Sequence, residues 1–184
     1  MTAAADTSNV STGDRAAIAE LLDRMRLAWA DGNGDAYGAL FTGDAHYVNA
    51  PGQRLVGAQA IGNSHQKIFD TVFRNTHLGE RYPRELESIA NGVVLLHASG
   101  AVLFAGEHET EVSPNGLMTM LLLKREGAWR IHSFTNTQTG RARNAKFILR
   151  YLKSRLYLFT AEWRKARRHM LDEKRRNIAK WEET

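Results

Sequence analysis

The sequence predicts an α+β protein in which helices and strands are largely segregated along the chain. Apolar residues recur at helical spacing in segments at about 14–30, 35–41 and 58–72. From Arg84 onward the pattern is instead one of strands separated by tight-turn dipeptides, which is typical of consecutive hairpins. Segregated helices and a meander of strands favour an α+β fold over a doubly wound sheet.

The three helices have recognisable start and stop residues. Thr12 or Asp14 is the expected N-cap of the first, because short polar side chains accept hydrogen bonds from the free N–H groups of a first turn. Asp31-Gly32-Asn33-Gly34 is expected to end it, since Gly and Asn tolerate a left-handed backbone. Asp35 is the expected cap of the second helix. That helix would carry Tyr37, Leu40 and Phe41, and the third would run from Ala58 to Val72.

Six strands are expected, in part because turn residues separate them. A turn at Pro51-Gly52 predicts an early hairpin, and Asn91-Gly92 predicts a tight connection. Ser99-Gly100 suggests a bulge or bend inside one long strand. The predicted strands are Ala45–Asn49, Arg54–Val56, Arg84–Ile89, Val93–His108, Leu117–Lys124 and Ala128–Thr137.

The last strand mixes polar and large apolar side chains on both of its faces. Strict alternation would put Arg130, His132, Phe134 and Asn136 on one face. The other face would hold Trp129, Ile131, Ser133, Thr135 and Thr137. Polar groups beside large apolar ones predict the wall of a binding pocket.

Composition indicates one folded domain followed by a basic extension. The chain has 184 residues, no cysteine and a net charge of +5, so no disulfide can form and a cytoplasmic location is expected. Residues 1–13 lack the regions of a signal peptide and are predicted to be a disordered tail. From Arg141 onward, 14 Lys and Arg stand against 5 Asp and Glu. The predicted organisation is a tail at 1–13, a domain at 14–140 and a basic amphipathic helical extension at 141–184.

Three motifs carry a resemblance to a known family. They are Asp35–Ala45 (DAYGALFTGDA), Leu55–Ile61 (LVGAQAI) and Trp129–Thr137 (WRIHSFTNT). In this order they resemble the signatures of the SnoaL-like branch of the nuclear transport factor two superfamily. His65–Asp70 and the ending Phe134–Thr137 resemble most the SgcJ/EcaC type of secondary-metabolite clusters.

The resemblance covers about residues 14–139 and implies both a shape and a range of functions. It implies a curved mixed or antiparallel sheet wrapped round the N-terminal helices as a cone, with a ligand cavity at the open end and commonly a homodimer. The implied ligand is an apolar, polyketide-like biosynthetic intermediate. The protein is expected either to isomerise or cyclise it by cofactor-independent acid/base catalysis, or to bind and sequester it without catalysis.

One departure from the family concerns the best-known proton-transfer mechanism. Members resembling ketosteroid isomerase use a carboxylate and a tyrosine at the positions that alignment on Asp44-Ala45 gives to Asn49 and Met25. An amide does not accept a proton near neutral pH, and a thioether cannot donate one. Asn49 is expected either to orient a ligand carbonyl or to cap the turn before Pro51.

Histidines are therefore the candidates for a general base, because their unperturbed pKa lies nearest neutrality. The four histidines in question are His46, His65, His108 and His132. His65 and His132 are favoured, because helical spacing places His65 with Phe69 and strand alternation places His132 with Phe134. The alternative for each is a hydrogen-bonded polar residue at the pocket rim. The catalytic candidates are thus His65, His132, His108 and Asn49, and no pair has zinc-ligand spacing, so neither metal nor cofactor is predicted.

Aromatic and methionine side chains on several elements are the candidate ligand-binding residues, because they would stack on and enclose a flat apolar molecule. Core packing is the competing interpretation, since one interior cannot give every ring to a ligand. The candidates are Trp29, Tyr37, Phe41, Tyr47, Phe69, Phe73, Phe104, Met118, Met120, Phe134 and Asn136.

The extension contains neither Gly nor Pro after residue 141 and is predicted to be largely helical. An apolar stripe runs through Leu152, Leu156, Phe159 and Trp163, opposed by Lys and Arg. It is interpreted as a strap or dimer arm, or as a helix in peripheral contact with an anionic membrane. Nucleic acid is not an expected partner, because a basic helix alone matches no recognition fold.

Overall fold

A computed structural model describes residues 10–79, 82–108, 112, 116–138 and 143–182, with backbone alone at 82–84, 143–147, 166 and 169–182. The chain divides into two compact units, and the division falls between Arg141 and Ala142. Among the described residues, no helix is both long enough and apolar enough to cross a membrane.

The first unit contains three helices and eight strands within its described residues. The helices are α1 (Thr12–Ala30), α2 (Gly34–Gly38) and α3 (Ala58–Phe69). The strands are β1 (Phe41–Val48), β2 (Arg54–Val56), β3 (His77–Leu78), β4 (Tyr82–Ala90), β5 (Val93–Gly100), β6 (Val102–Leu103), β7 (Gly116–Arg125) and β8 (Ala128–Gln138).

A curved six-stranded sheet, in the order β2-β1-β8-β7-β5-β4, forms the wall of the unit. All neighbours are antiparallel except β1 and β8, which pair in parallel. A second sheet joins only β3 and β6. The predicted α+β class with a curved mixed sheet and N-terminal helices is confirmed.

The core lies between the helices and the inner face of this sheet. On β5 and β7 every second residue is buried, which is the pattern of a sheet with one covered face. Register aligns Leu96, Met120 and Phe134 across three neighbouring strands. Helix α1 covers them with Ile18, Leu21, Leu22, Met25 and Trp29.

The helix termini differ in detail from the predicted caps. Ser11 caps α1, and its hydroxyl accepts a hydrogen bond from the Asp14 N–H at 3.1 Å. Asn33 rather than Asp35 caps α2, accepting from the Ala36 N–H at 2.9 Å. Gly32 has the left-handed φ of +63° that the predicted helix end requires. Because α1 begins at Thr12, the helix starts inside the segment predicted to be a tail, and residues 1–9 lie outside the described residues.

Several predicted bounds are wrong. Helix α2 ends at Gly38, so Phe41 begins β1 instead of ending a helix. Helix α3 ends at Phe69, three residues before Val72. The predicted strand Val93–His108 breaks after Gly100 and ends at Leu103, because the chain turns where the Phe104 N–H donates to the Glu107 carboxylate at 2.9 Å. The short strand β3 was not predicted.

Within its described residues, the second unit consists of α4 (Arg143–Glu182), a helix of 40 residues. At 1.5 Å per residue its length is about 60 Å. This segment is predicted to be largely helical, and its described residues form one helix.

Candidate functional site

His65 on α3 lies at the centre of the aromatic interior. Only 3% of its surface is exposed. The Tyr37 ring stacks on the imidazole with a centroid separation of 4.0 Å and an interplanar angle of 24°, and the Tyr47 ring meets it edge-on at 5.1 Å. Of the four histidines predicted as candidates, this one lies among the predicted ligand-binding rings.

One hydrogen bond fixes the proton on the His65 ring. Nδ1 lies 2.8 Å from the carbonyl oxygen of Ile61, one turn earlier on the same helix. A carbonyl oxygen can only accept, so Nδ1 carries the hydrogen, and Nε2 keeps its lone pair in the neutral ring. The imidazole can therefore accept a proton or a hydrogen bond through Nε2.

Burial determines the charge of this histidine. Removal from water lowers the pKa of His65 to about 4, while the hydrogen bond to Ile61 opposes that change. The charged form is disfavoured because the surrounding rings cannot solvate an ion as water does. At neutral pH the side chain is uncharged and held in one tautomer.

Close packing of α2 on α3 brings Tyr37 over His65. A Cβ atom added to Gly62 would lie 2.8 Å from the Gly34 carbonyl oxygen, and one added to Gly38 would lie 2.7 Å from that of Ala58. Only glycine permits this approach between the two backbones. The Gly34 N–H donates to the Gln66 side chain at 2.8 Å, which fixes the helices in this position.

The other predicted rings form two groups, and both groups contact Tyr37 and His65. In the first, Tyr47 stacks on Phe134 with a separation of 4.7 Å and an angle of 2°, and Phe41 meets both edge-on. In the second, Trp29 contacts Phe69 and Phe73 at 5.1 and 5.4 Å, and Phe73 contacts Phe104 at 6.3 Å. All of these rings except Phe73 are almost completely buried. They form core as well as candidate lining.

Met118, Met120 and Asn136 lie on the inner face of the neighbouring strands. Both methionines are buried, and Met118 is paired with Asn136 across β7 and β8. The Asn136 Oδ1 atom is shielded from solvent and has no hydrogen-bond partner within the described residues. A buried amide oxygen in this state is a potential acceptor for a ligand hydroxyl or N–H group.

A β-bulge on β8 separates His132 from these residues. Leu121 pairs with Ser133 and Leu122 pairs with Ile131, so His132 is the additional residue on β8. The bulge reverses the alternation, and Ile131 and Phe134 are both buried on the inner face. The prediction that His132 shares a face with Phe134 and Asn136 is therefore wrong.

His132 belongs instead to a polar group on the outer face. Its Nδ1 atom lies 3.0 Å from the Thr42 hydroxyl and 3.6 Å from the Asp44 carboxylate. Its ring meets that of His46 at 6.1 Å, and the Arg54 guanidinium lies 3.3 Å from His46 Nδ1. Hydrogen bonds lower the pKa of the Asp44 carboxyl, and the bond from the Thr42 hydroxyl has a larger effect than the one from the backbone N–H of Asp44. We refer to Thr42, Asp44, His46, Arg54 and His132 as the outer polar group.

Asn49 and His108 also lie outside the aromatic interior. The Asn49 amide accepts from the Gln53 N–H at 2.8 Å and donates to the Gln53 side chain at 3.1 Å. It therefore caps the hairpin turn, which is the structural alternative given above. His108 is exposed and follows the turn after Phe104, so it is not on a strand.

One polar contact that positions the interior corresponds to no pattern in the sequence. The Trp29 indole N–H donates to the Thr76 hydroxyl at 2.9 Å, and that hydroxyl donates to the Phe73 carbonyl at 2.7 Å. Thr76 is buried, and it is 47 residues away from Trp29. No local pattern marks such a contact, because it forms only when the segment before β3 packs on α1.

Comparison with known proteins identifies the family. A model of the SnoaL-like domain matches residues 10–135, which is more than half of the chain. The chain belongs to the SnoaL-like family. No curated protein matches this SnoaL-like chain in sequence.

Solved structures agree with this assignment at the level of the fold. A Nostoc punctiforme domain with a cystatin-like fold is 22% identical, with a TM-score of 0.63 over 85% of this SnoaL-like chain and 99% of its own. A Caulobacter vibrioides protein with a cystatin-like fold is 25% identical, with a TM-score of 0.56 over 74% and 97% of the two chains. A candidate scytalone dehydratase from Novosphingobium aromaticivorans is 16% identical, with a TM-score of 0.54 over 70% and 85%.

Within the described part of the SnoaL-like domain, no three His, Asp or Glu side chains are grouped so that they could hold a metal ion. The described interior offers rings, thioethers, one amide and one neutral imidazole. These groups suit contact with an apolar molecule that carries a few polar atoms.

Proposed function

We propose that the interior of the cone binds a flat, apolar, polyketide-like intermediate. His65 then moves a proton from one atom of this intermediate to another, and the intermediate is isomerised or cyclised without a cofactor. The observation that carries the proposal is the neutral, tautomer-fixed imidazole of His65 among the Tyr37 and Tyr47 rings. An isolated polar ring in an aromatic interior adds no packing that Leu or Phe could not supply. The lone pair on Nε2 of His65 is the property that neither of those side chains has.

The low pKa of His65 restricts the substrates that it could deprotonate. With a pKa of about 4 the ring is entirely in its basic form at neutral pH, but its conjugate acid is strong. Such a base removes protons efficiently only from acidic positions. A carbon between two carbonyl groups, as in a polyketide chain, is acidic enough. The proton taken by Nε2 would return to another atom of the same molecule, so the reaction is balanced without a co-reactant.

Asn136 is the proposed partner for a polar group of the ligand. Its side-chain oxygen is buried, and among the described residues it has no partner. Its amide could accept from a ligand hydroxyl or donate to a ligand carbonyl. Met118, paired with Asn136, would contact the apolar part of the same molecule, because a thioether adapts to irregular shapes.

A second candidate is non-catalytic binding and sequestration of the same kind of ligand. The observations that favour it are the absence of a carboxylate at Asn49, whose amide is used in the turn, and the dense mutual packing of the aromatic rings. A binder needs the apolar enclosure alone, and His65 would then be only a hydrogen-bonding group.

The finer assignments of family type, assembly and location belong to the same proposal. The residues His65–Asp70 and Phe134–Thr137 support the SgcJ/EcaC type, and that type would place the protein in a secondary-metabolite pathway. Homodimerisation and a cytoplasmic location are proposed on the family resemblance and the absence of cysteine. The mass of the full chain by light scattering tests the dimer directly.

Deuterium exchange separates the two functions. The probe is 2-acetyl-1-tetralone, a flat molecule with an acidic C–H between two carbonyls, observed by NMR in D2O. The native protein should accelerate exchange at that carbon, and His65→Gln should lose at least about tenfold of the acceleration while still binding the probe. His132→Gln is the matched control and should exchange like the native protein.

Two results would contradict catalysis by His65. Equal exchange rates for the native protein and His65→Gln would leave binding as the function, provided that probe binding is retained. Loss of exchange in His132→Gln but not in His65→Gln would identify His132, in the outer polar group, as the general base.

A further inference from the structure

Helix α4 carries large apolar side chains that lie in contact with water. Leu152, Leu156, Phe159 and Trp163 are each more than half exposed. Their spacing of four, three and four residues puts them on one stripe of the helix. Single exposed apolar residues are normal on a protein surface, but a continuous stripe of this kind marks an interaction surface.

Basic side chains flank this stripe. At 100° per residue, Lys153 lies about 90° from the centre of the stripe on one side and Arg155 about 70° from it on the other, and both are exposed. The Arg167 guanidinium lies 5.4 Å from the centre of the Trp163 ring, so a positive charge also lies beside the aromatic end of the stripe. Over Arg143–Glu182 there are 13 Lys and Arg against 4 Asp and Glu, a surplus of nine positive charges.

We propose that α4 binds an anionic lipid bilayer, lying in the plane of the surface with the apolar stripe inserted at the level of the headgroups. Aromatic and leucine side chains on one face with Lys and Arg beside them are the combination that holds a helix at such an interface. The basic residues attract the helix to the bilayer, and the stripe then leaves water. Both features of α4 are used at once.

A second copy of α4 fits these observations less well. Packing two helices brings their axes within about 10 Å of each other, and each would carry nine surplus positive charges. Glu162 is the only acidic residue between Arg143 and Leu171, so few attractive pairs could offset the repulsion. Nucleic acid would satisfy the basic flank but leave the leucine, phenylalanine and tryptophan side chains in water.

Co-sedimentation of the full chain with vesicles tests the proposal. The native protein should bind vesicles in which about a third of the lipid is phosphatidylserine, and it should bind vesicles of phosphatidylcholine alone much less. The triple variant Lys153→Gln, Arg155→Gln, Arg167→Gln should bind the anionic vesicles about a hundredfold more weakly, at roughly fivefold for each charge removed. The matched control removes three exposed charges elsewhere, as Arg24→Gln, Lys67→Gln, Arg74→Gln, and should bind within a few fold of the native protein.

A second pair of variants tests the apolar stripe. Phe159→Ser with Trp163→Ser should abolish most of the binding, whereas Leu27→Ser, which removes an equally exposed apolar side chain on α1, should leave it unchanged. Equal binding to neutral and anionic vesicles would overturn the electrostatic part of the proposal. Absence of vesicle binding would overturn the whole proposal. In that case a native dimer that Phe159→Ser with Trp163→Ser dissociates would identify the stripe as a contact between two copies, and binding to duplex DNA would identify α4 as a nucleic-acid surface.

Discussion

His65 and His132 are the same residue type in the same domain, yet their surroundings are opposite. His65 is enclosed by aromatic rings, its proton is fixed on Nδ1 by a backbone carbonyl, and burial lowers its pKa to about 4. His132 lies at a bulge on the outer face, beside the Thr42 hydroxyl and an exposed carboxylate, Asp44. Residue type alone selects both as bases, and only the surrounding groups determine which chemistry each one supports.

The largest effect is expected from removing the ring that covers His65. Tyr37→Ala deletes a side chain that is 1% exposed and stacked on the imidazole. The cavity and lost burial should lower the free energy of unfolding by about 3–5 kcal/mol. Urea unfolding at pH 7 measures this change, and NMR titration should find the His65 pKa shifted upward, because water can then reach the ring.

Tyr37→Phe is the matched variant, since it keeps the ring and removes only the hydroxyl. Its His65 pKa should stay close to the native value. A raised pKa in Tyr37→Phe as large as that in Tyr37→Ala would mean that the hydroxyl, and not the enclosing ring, controls the imidazole.

The pH dependence of stability gives the next largest effect. An unfolded chain takes up a proton on this histidine near pH 6.5, whereas the folded chain does so only near pH 4. Between these values the unfolded state binds more protons, so the free energy of unfolding falls as the pH falls, by about 3 kcal/mol for this group. Above pH 6.5 His65 should not affect the pH dependence of the free energy of unfolding. Below pH 4 its contribution should change no further.

The comparison of native protein with His65→Gln isolates this contribution. Other acidic groups titrate in both proteins, so the difference between their urea unfolding curves at pH 7 and pH 4.5 belongs to His65. The native protein should lose stability on acidification, and His65→Gln should lose less. If His65→Gln retained the same loss, the imidazole would not be as strongly desolvated as its surroundings require.

A third effect concerns the backbone contact that holds Tyr37 over His65. Gly62→Ala introduces a Cβ atom 2.8 Å from the Gly34 carbonyl oxygen, so α2 and α3 must move apart. Overpacking of this kind should cost about 1–3 kcal/mol and lower the melting temperature. Gly43→Ala is the control, because a Cβ atom there meets nothing within 4 Å. Equal melting temperatures for the two variants would show that the helices tolerate separation.

Part of this organisation could be predicted because it depends on local sequence. The apolar spacing of α1, the left-handed Gly32 that follows it and the turn at Asn91-Gly92 are each specified by a few neighbouring residues. The family motifs then supply the fold that connects these elements. Fold class and the position of His65 on an inward helix face were accessible for this reason.

The remainder depends on contacts between distant residues. The bulge at His132 inserts one residue into β8, and this is specified by its pairing with β7, not by the alternation of β8 itself. The bond from Trp29 to Thr76 joins residues 47 positions apart. A sequence pattern assumes regular geometry, so it assigned His132 to the wrong face and gave no reason to consider Thr76.

The smallest effect is expected at the outer polar group, where the comparison predicts independence from the interior. Asp44→Asn removes a carboxylate whose side chain is 62% exposed and whose pKa is lowered first by the Thr42 hydroxyl. A lowered carboxyl pKa stabilises the fold above the ordinary value of 3.8, and that contribution disappears as the pH falls below it. Because water screens an exposed charge, the melting temperatures of native protein and Asp44→Asn should agree closely at pH 7.

The His65 titration should also be identical in the two proteins, since the Asp44 side chain lies in the outer polar group and His65 among the rings of the interior. A shifted His65 pKa in Asp44→Asn would mean that the two histidine environments are electrostatically coupled through the sheet.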